Sequence, residues 1–340
     1  MVESKTATIG AEERAASGHS QLFGPGARQK LFAFASLILL MVFFSFASPA
    51  FMAVDNLLGI LQSTAVNGVL AIASTFVIIT AGIDLSVGTL MTFCAVMAGV
   101  FLTYWQLPLW TGVLAAIATG ALSGTLSGAF VAKLKLPPFI STLGMMLVNK
   151  GLALVVAGDK PIYFNDTESF SLISQGSLVG YIVPSLPIPN SVLILFGLAI
   201  VASLTLTRTA LGRYTFALGS NEEAVRLSGV NVDRWKIIIY VLAGAICGIA
   251  GLLIASRLNS AQPALGQGYE LEAIAAVVIG GTSLSGGTGT VLGTIIGAFI
   301  MSVLTNGLRI MSVAQEWQIV VTGVIILLAV YIDILRRRKL

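Results

Sequence analysis

The sequence at residues 57–81 reads LLGILQSTAVNGVLAIASTFVIITA and contains no Asp, Glu, Lys or Arg. A helix needs about 20 mostly apolar residues to cross the hydrocarbon core of a bilayer, and this stretch is long enough. It belongs to a chain of 340 residues that is 56% hydrophobic and only 10% charged. Soluble domains carry about 25% charged residues, so the composition predicts a protein that needs lipid as part of its solvent.

Apolar runs of this kind, bounded by turn residues, recur along the whole chain. The eighth run is short and predicts either a spanning helix or a half-helix or re-entrant segment, so the number of spans is eight to ten. The fold class is therefore all-α, a polytopic membrane helical bundle of about ten transmembrane helices. The runs are residues 31–51, 57–81, 87–104, 109–132, 139–157, 192–207, 237–255, 271–281, 291–305 and 320–334.

The loop charges predict the topology of the bundle. Lys and Arg concentrate in short cytoplasmic loops, and ten crossings place most of them on one side, with both termini in the cytoplasm. We expect a disordered cytoplasmic tail at residues 1–28 and a single transmembrane domain at 29–340. Within that domain, residues 158–189 form an external loop and residues 208–236 a cytoplasmic loop.

The residue inventory excludes several classes of function. Cys94 and Cys247 lie in apolar runs and are expected to be small buried hydrophobic residues rather than a disulfide framework. The single histidine, His19, lies in the polar tail, so no metal site and no His-based triad is expected. Lys and Arg do not form one patch among aromatic residues, which argues against nucleic-acid binding. A membrane-embedded enzyme would also need a nucleophile–base pair, which the sequence does not offer.

Glycines spaced by four predict close helix packing. This spacing places glycines on one helix face, where two backbones can approach and gain dispersion energy. The pattern is typical of a compact bundle, a dimer interface, or both. The positions are Gly120, Gly124 and Gly128, then Gly244 and Gly248, and then Gly289, Gly293 and Gly297.

The loop at 208–236 is the longest charged segment between two runs. Ser220 followed by Glu223 predicts a capping box, and Gly229 is placed to end the helix in a left-handed conformation. Glu222 and Arg226 can pair at i, i+4. The loop therefore predicts a single short helix at the membrane surface, which is either a docking site for a partner or a solvated connector.

Three strings in this order resemble one family of transport proteins. GSNEEAVRLSGVNVDRWK (residues 219–236) is similar to the coupling loop in the permeases of bacterial sugar ABC importers, the ribose, xylose and arabinose group. TAGIDLSVG (80–88) and AAVVIGGTSLSGGTGTVLGTIIGA (275–298) are similar to two further signatures of the same family. The likeness covers the chain from about residue 30 onward and is greatest to ribose-type permeases. Glu222 and Glu223 depart from the pattern, since many members carry smaller or different residues there.

The resemblance implies a function and a set of partners. Such permeases lie in the bacterial inner membrane, work as dimers, dock a cytoplasmic ABC ATPase, and receive a periplasmic sugar-binding protein. The chain lacks G-x-x-x-x-G-K-[ST], so ATP and Mg²⁺ belong to the partner subunit and this chain binds no cofactor. The ATPase-coupling helix is then expected at Gly219, Asn221, Glu222, Glu223, Ala224, Arg226, Leu227, Ser228 and Gly229.

Polar residues inside the apolar runs are candidates for the translocation path. Asp84, with Ser86, either caps the helix that begins near Ser86 or lines the path. Asn67, Asn149 and Asn306 would suit a hydroxyl-rich cargo or would form hydrogen bonds between helices. Glu270 and Glu272 flank the eighth run and are expected at the external edge of the membrane.

Two other functions compete with sugar import. A permease of the same superfamily could carry a polyol, a signalling furanone or a branched-chain amino acid, the last of which would need a charge to meet the carboxylate. An ion-coupled secondary transporter would need several buried carboxylates. The sequence offers Asp84 as the one strong candidate for such a carboxylate.

Overall fold

The computed structural model describes residues 25–167 and 169–337 as a bundle of helices. Most of the predicted tail, 1–24, lies outside the described residues, whereas Pro25 to Arg28 form the start of a helix rather than tail. The helices are α1 Pro25–Ala47, α2 Val54–Ile79, α3 Val87–Gly99, α4 Leu109–Ala132, α5 Pro138–Ala157, α6 Leu178–Ile182, α7 Asn190–Arg208, α8 Ala210–Ser220, α9 Glu222–Leu227, α10 Val232–Leu258, α11 Tyr269–Ile279, α12 Val291–Ile310 and α13 Gln315–Arg337.

Short elements complete the chain. Helical turns lie at Pro49–Met52 and Ser171–Ile173, and α3 continues as a π-helical turn over Val100–Tyr104. Two short strands, β1 Ile162–Tyr163 and β2 Ser260–Ala261, pair antiparallel and mark what we call the sheet end of the bundle. The opposite end carries residues 208–236 and is called the loop end.

Seven helices are long and apolar enough to cross a membrane, among the residues that the structure describes. They are α2, α3 with its π turn, α4, α5, α7, α10 and α12, and shorter apolar stretches lie in α1 and α13. The polytopic all-α prediction is confirmed, and the predicted limits of α4 agree with the structure at both ends.

The spanning helices form an inner and an outer group. In α2, α10 and α12, about two thirds of the residues in the most apolar 18-residue stretch of the helix are buried. In α5 and α7 only 28% of the corresponding residues are buried. The outer helices expose large apolar side chains such as Val155 and Ile200. Exposed apolar surface of this extent is typical of helices that lie in a membrane.

The eighth apolar run does not cross the bundle as a helix. Helix α11 has 11 residues, or about 16 Å at 1.5 Å per residue, roughly half the thickness of a hydrocarbon core. The chain reaches it from β2 through a non-helical segment, residues 262–268, and α11 then ends near the loop end. The connection as a whole therefore runs from one end of the bundle to the other, half of it without helix.

The glycine pattern produces close contact between α4 and α10. A Cβ on Gly120 would collide with the carbonyl oxygen of Gly244, and one on Gly124 with that of Tyr240. Gly293 and Gly297 allow α12 to approach α11 in the same way. Gly289 was predicted on the same helix face, but α12 begins only at Val291, so Gly289 lies in the preceding loop against Thr282.

We expect Gly124→Leu to lower the thermal unfolding midpoint in detergent, because the added side chain forces α4 away from α10. Overpacking of this kind costs about 1–3 kcal/mol or more. Gly151→Leu on α5 is the matched control, since a Cβ there meets nothing within 4 Å. Equal midpoints for the two variants would contradict the packing role.

Candidate translocation cavity and surface helix

Two helices begin in the interior of the bundle, and their N-termini meet. Met91, in the second turn of α3, packs against Gly251 of α10, so α3 starts near the middle of that 27-residue helix. Gly88 in the first turn of α3 touches the carbonyl oxygen of Gly266, just before α11. The Thr92 hydroxyl also donates to the carbonyl of Leu265 at 2.8 Å. Both helix starts therefore lie within the protein rather than at its surface.

A buried carboxylate accompanies each of these helix starts. Asp84, 6% exposed, accepts hydrogen bonds from the Ser86 backbone N–H at 2.8 Å and the Ser86 hydroxyl at 2.6 Å. Glu270, also 6% exposed, accepts from the Gly268 N–H at 3.0 and 3.1 Å. The N-terminus of a helix carries partial positive charge, so each carboxylate stabilises the helix start beside it. Asp84 bonds only Ser86, the residue before α3, and accepts no hydrogen bond from the N–H groups of the helix itself.

The prediction for Glu270 and Glu272 was wrong. Neither lies at an external edge: Glu270 is buried at the start of α11, and Glu272 is half-buried one turn further along that helix. The Asn67 side-chain amide donates to Glu272 at 2.7 Å and joins α2 to α11. The error arises because α11 was taken to begin at the membrane surface.

A polar cavity of about 730 Å³ lies between α2, α10, α11, α12 and α13. Its walls carry amides, hydroxyls, two arginines and one carboxylate. The polar and charged side chains in it are Ser63, Asn67, Arg257, Gln267, Tyr269, Glu272, Ser302, Thr305, Asn306, Arg309, Gln315, Gln318 and Thr322. Hydroxyl and amide groups both donate and accept hydrogen bonds, so the cavity can bind a polar, uncharged solute.

The five predicted path residues separate in the structure. Asn67 and Asn306 line the cavity, and the Asn306 amide also donates to the Asn56 side chain at 2.9 Å. Asn149 lies elsewhere: it is buried between α4 and α5, where it accepts a hydrogen bond from the Ser123 hydroxyl at 3.0 Å. Asp84 and Ser86 lie at the start of α3 and are absent from the cavity wall that the structure describes.

Sequence reasoning missed most of the cavity wall. The sequence analysis assigned no role in the path to Arg257 or Arg309, which both line the cavity. One signal could have identified the α12 wall: Ser302, Asn306 and Arg309 recur at helical spacing on one face of an otherwise apolar helix. Ser63 and Asn67 repeat that pattern on α2.

The loop end carries two helices where the sequence predicted one. Helix α8 precedes the short helix α9, and Asn221 rather than Ser220 caps α9, its side chain accepting from the Ala224 N–H at 2.9 Å. The Ser220 hydroxyl instead donates to the Phe216 carbonyl, so no capping box forms. Gly229 adopts a φ of +83°, as the sequence predicted. Leu227 is 80% exposed, so α9 presents an apolar side chain to its surroundings.

Glu222 fastens α9 to the long helix α10. Its carboxylate accepts from Arg226 at 3.0 Å and from Lys236, at the start of α10, at 2.5 Å. Partial burial alone would raise the pKa of Glu222, but Lys236 and Arg226 outweigh it and hold the pKa below its ordinary value. This interaction is fully present above the pKa of an unpaired glutamate and is lost as pH falls through the lower folded-state pKa.

The end of α8 makes a backbone contact with two distant segments. A Cβ on Gly219 would collide with the carbonyl oxygen of Ile79 at the end of α2. It would also lie 2.5 Å from the backbone nitrogen of Gly287, in the loop between α11 and α12. The Gly287 N–H donates to the Ile79 carbonyl at 2.9 Å. We call these three residues the glycine junction.

A bundle of membrane-spanning helices around a polar cavity, with a short helix displayed at one end, defines a transport permease. Residues 56–330 match the family described as branched-chain amino acid transport system / permease component. The chain belongs to this family of multi-pass membrane permeases.

Curated relatives of high similarity are sugar permeases. The ribose import permease protein RbsC of Escherichia coli strain K12 is 43% identical over 298 residues, which cover 88% of this chain and 91% of the relative. RbsC of Bacillus subtilis strain 168 is 40% identical over 310 residues, with 91% and 94% covered. The fructose import permease protein FrcC of Rhizobium meliloti is 39% identical over 274 residues, with 81% and 76% covered.

We expect Glu222→Gln to increase backbone hydrogen exchange in residues 222–228, because the uncharged side chain loses its ion pairs with Arg226 and Lys236. Glu223→Gln is the control: its carboxylate is 3.9 Å from Arg226 and its side chain is 72% exposed. Hydrogen-exchange mass spectrometry in lipid nanodiscs measures both. Unchanged exchange in Glu222→Gln would show that the ion pairs do not order α9.

Proposed function

We propose that this chain is the membrane subunit of an ATP-driven importer for a monosaccharide, ribose or another pentose. The observation that carries the proposal is the cavity, whose amides and hydroxyls suit a neutral, hydroxyl-rich cargo. Relatives named ribose import permease match over about nine tenths of the chain, which supports this cargo. A hexose is also compatible, since the fructose permease is nearly as similar.

The proposal assigns ATP hydrolysis to a separate cytoplasmic ABC ATPase. The chain contains no G-x-x-x-x-G-K-[ST] string, and its Gly-rich stretch 285–293 has no lysine to reach a phosphate. Helix α9 is the ATPase contact, because it lies at one end of the bundle with Ala224 and Leu227 exposed. The glycine junction supports this role, since it links the residues before α9 to α2 and to the loop after α11.

The orientation of the chain in the membrane determines where the remaining partners bind. The loop end faces the cytoplasm of the bacterial inner membrane, as do both termini, because the short loops there collect Lys and Arg. Residues 158–189 face the periplasm and receive a sugar-binding protein. A second copy of the chain completes the transporter as a homodimer.

A second cargo class has one observation in its favour. Arg257 and Arg309 line the cavity and could meet the carboxylate of a branched-chain amino acid, the cargo in the family description. Glu272 lies in the same cavity and would repel that carboxylate.

Uptake of labelled solutes by proteoliposomes tests the function. The vesicles contain this chain, the ATPase and the binding protein encoded beside it, and each component is omitted in turn. We expect ATP-dependent uptake of one sugar among ribose, xylose and fructose. This uptake should require this chain, the ATPase and the binding protein together. Uptake of leucine instead would replace the cargo, and uptake by this chain alone on an ion gradient would overturn the ABC assignment.

We expect Arg226→Glu and Gly229→Val to abolish ATP-driven uptake while the protein still inserts in the membrane. The first reverses a charge that pairs with Glu222, and the second forces a β-branched residue to a φ of +83°. Gly197→Val on α7 is the control, since a Cβ there meets nothing within 4 Å. Normal uptake by both loop variants would reject α9 as the coupling helix.

A further inference from the structure

The cavity contains charged groups that form no direct ion pair in the part of the chain that the structure describes. Within the described part of the chain, the four ion pairs include neither Glu272 nor Arg257 nor Arg309. One Glu272 oxygen accepts from Asn67, and one Arg257 nitrogen donates to the Ser63 hydroxyl at 3.0 Å. A carboxylate has about four acceptor positions and a guanidinium has five N–H donors, so both retain unused hydrogen-bonding capacity that faces the cavity.

The combination of charges selects the chemistry of that ligand. Ionised Glu272 can only accept hydrogen bonds, and Arg257 can only donate them. A hydroxyl group does both, so adjacent hydroxyls on one molecule can satisfy both side chains. A cationic ligand is repelled by Arg257 and Arg309, whereas an anionic ligand is attracted by both arginines and repelled by Glu272, and these effects are strong where water is displaced. The volume of about 730 Å³ lies within the range of about 300–1,000 Å³ typical of small-molecule sites.

We infer that the cavity is a binding site for a neutral sugar, in which Glu272, Asn67 and Arg257 contact the hydroxyl groups of the cargo directly. This inference rests on the proposed function and deepens it. The permease then recognises its cargo itself, and Glu272 lowers the affinity that Arg257 and Arg309 would otherwise give to an anionic sugar.

The test is direct binding to the full chain in lipid nanodiscs, without ATPase or binding protein. Labelled ribose, xylose and fructose are titrated, and ribonate serves as the anionic comparison. We expect saturable binding of at least one neutral sugar, and the affinity for ribonate is measured as the reference for the Glu272 variant. Glu272→Gln should raise ribonate affinity at least fivefold relative to the neutral sugar, because the repulsive charge is gone. A residue with a purely structural role would not produce that change in selectivity.

Two further variants keep the result interpretable. Arg257→Gln should weaken binding of both the neutral sugar and ribonate, so it tests the site even if Glu272→Gln is unstable. Glu316→Gln is the control, since this exposed carboxylate of α13 is outside the cavity lining. Unchanged affinity and selectivity in the Glu272 and Arg257 variants, or no saturable binding by the wild-type chain, would overturn the inference.

The same preparation, assembled with its partners, separates this inference from the proposed function. If the complete assembly imports sugar but Glu272→Gln does not change binding, the binding site is rejected and the proposed function stands. Absence of ATP-driven sugar uptake by the complete wild-type assembly would reject the proposed function itself.

Discussion

The fold depends on one constraint: backbone N–H and C=O groups inside a membrane protein must find partners within the protein, because hydrocarbon offers none. Helices α3 and α11 both begin in the interior, where their first N–H groups have no preceding turn to bond. Asp84 and Glu270 are buried carboxylates beside these two starts, and they accept from the N–H groups of Ser86 and Gly268, the residues that precede the helices. Negative charge at a helix N-terminus is stabilised by the aligned peptide dipoles. The buried carboxylate and the buried helix start therefore each offset the energetic cost of burying the other.

This arrangement also creates the cavity. Because α11 starts halfway through the bundle, its first turns bring Tyr269 and Glu272 to the depth of Asn67, in the middle of α2. The contact at Gly88 allows the segment before α11 to lie against α3 without side chains between them. Close backbone packing and a polar interior are thus two results of the same interrupted helices.

Much of the fold was accessible from sequence, because long apolar runs and glycine spacing are local signals. The limits of α4 and the conformation of Gly229 show how reliable such signals are. The depth of Glu272 was not accessible, since it depends on a partner 205 positions away, at Asn67. The capping box failed for a local reason: Ser220 still belongs to α8, so its hydroxyl bonds back to that helix and the next residue serves as the cap. Loop sequences that encode two consecutive helices are easily read as one.

The glycine junction has a mechanical consequence. Side chains normally absorb small movements between helices by changing rotamer, and this gives most interfaces some compliance. Gly219, Ile79 and Gly287 lack this compliance, because their backbones are in direct contact with no side chain between them. A displacement at the end of α8 would therefore meet the backbone of α2 and of the loop after α11 directly, with no side-chain rotamer between them to absorb it. Stiffness at this point comes from the absence of side chains, so even a single methyl group there would alter it.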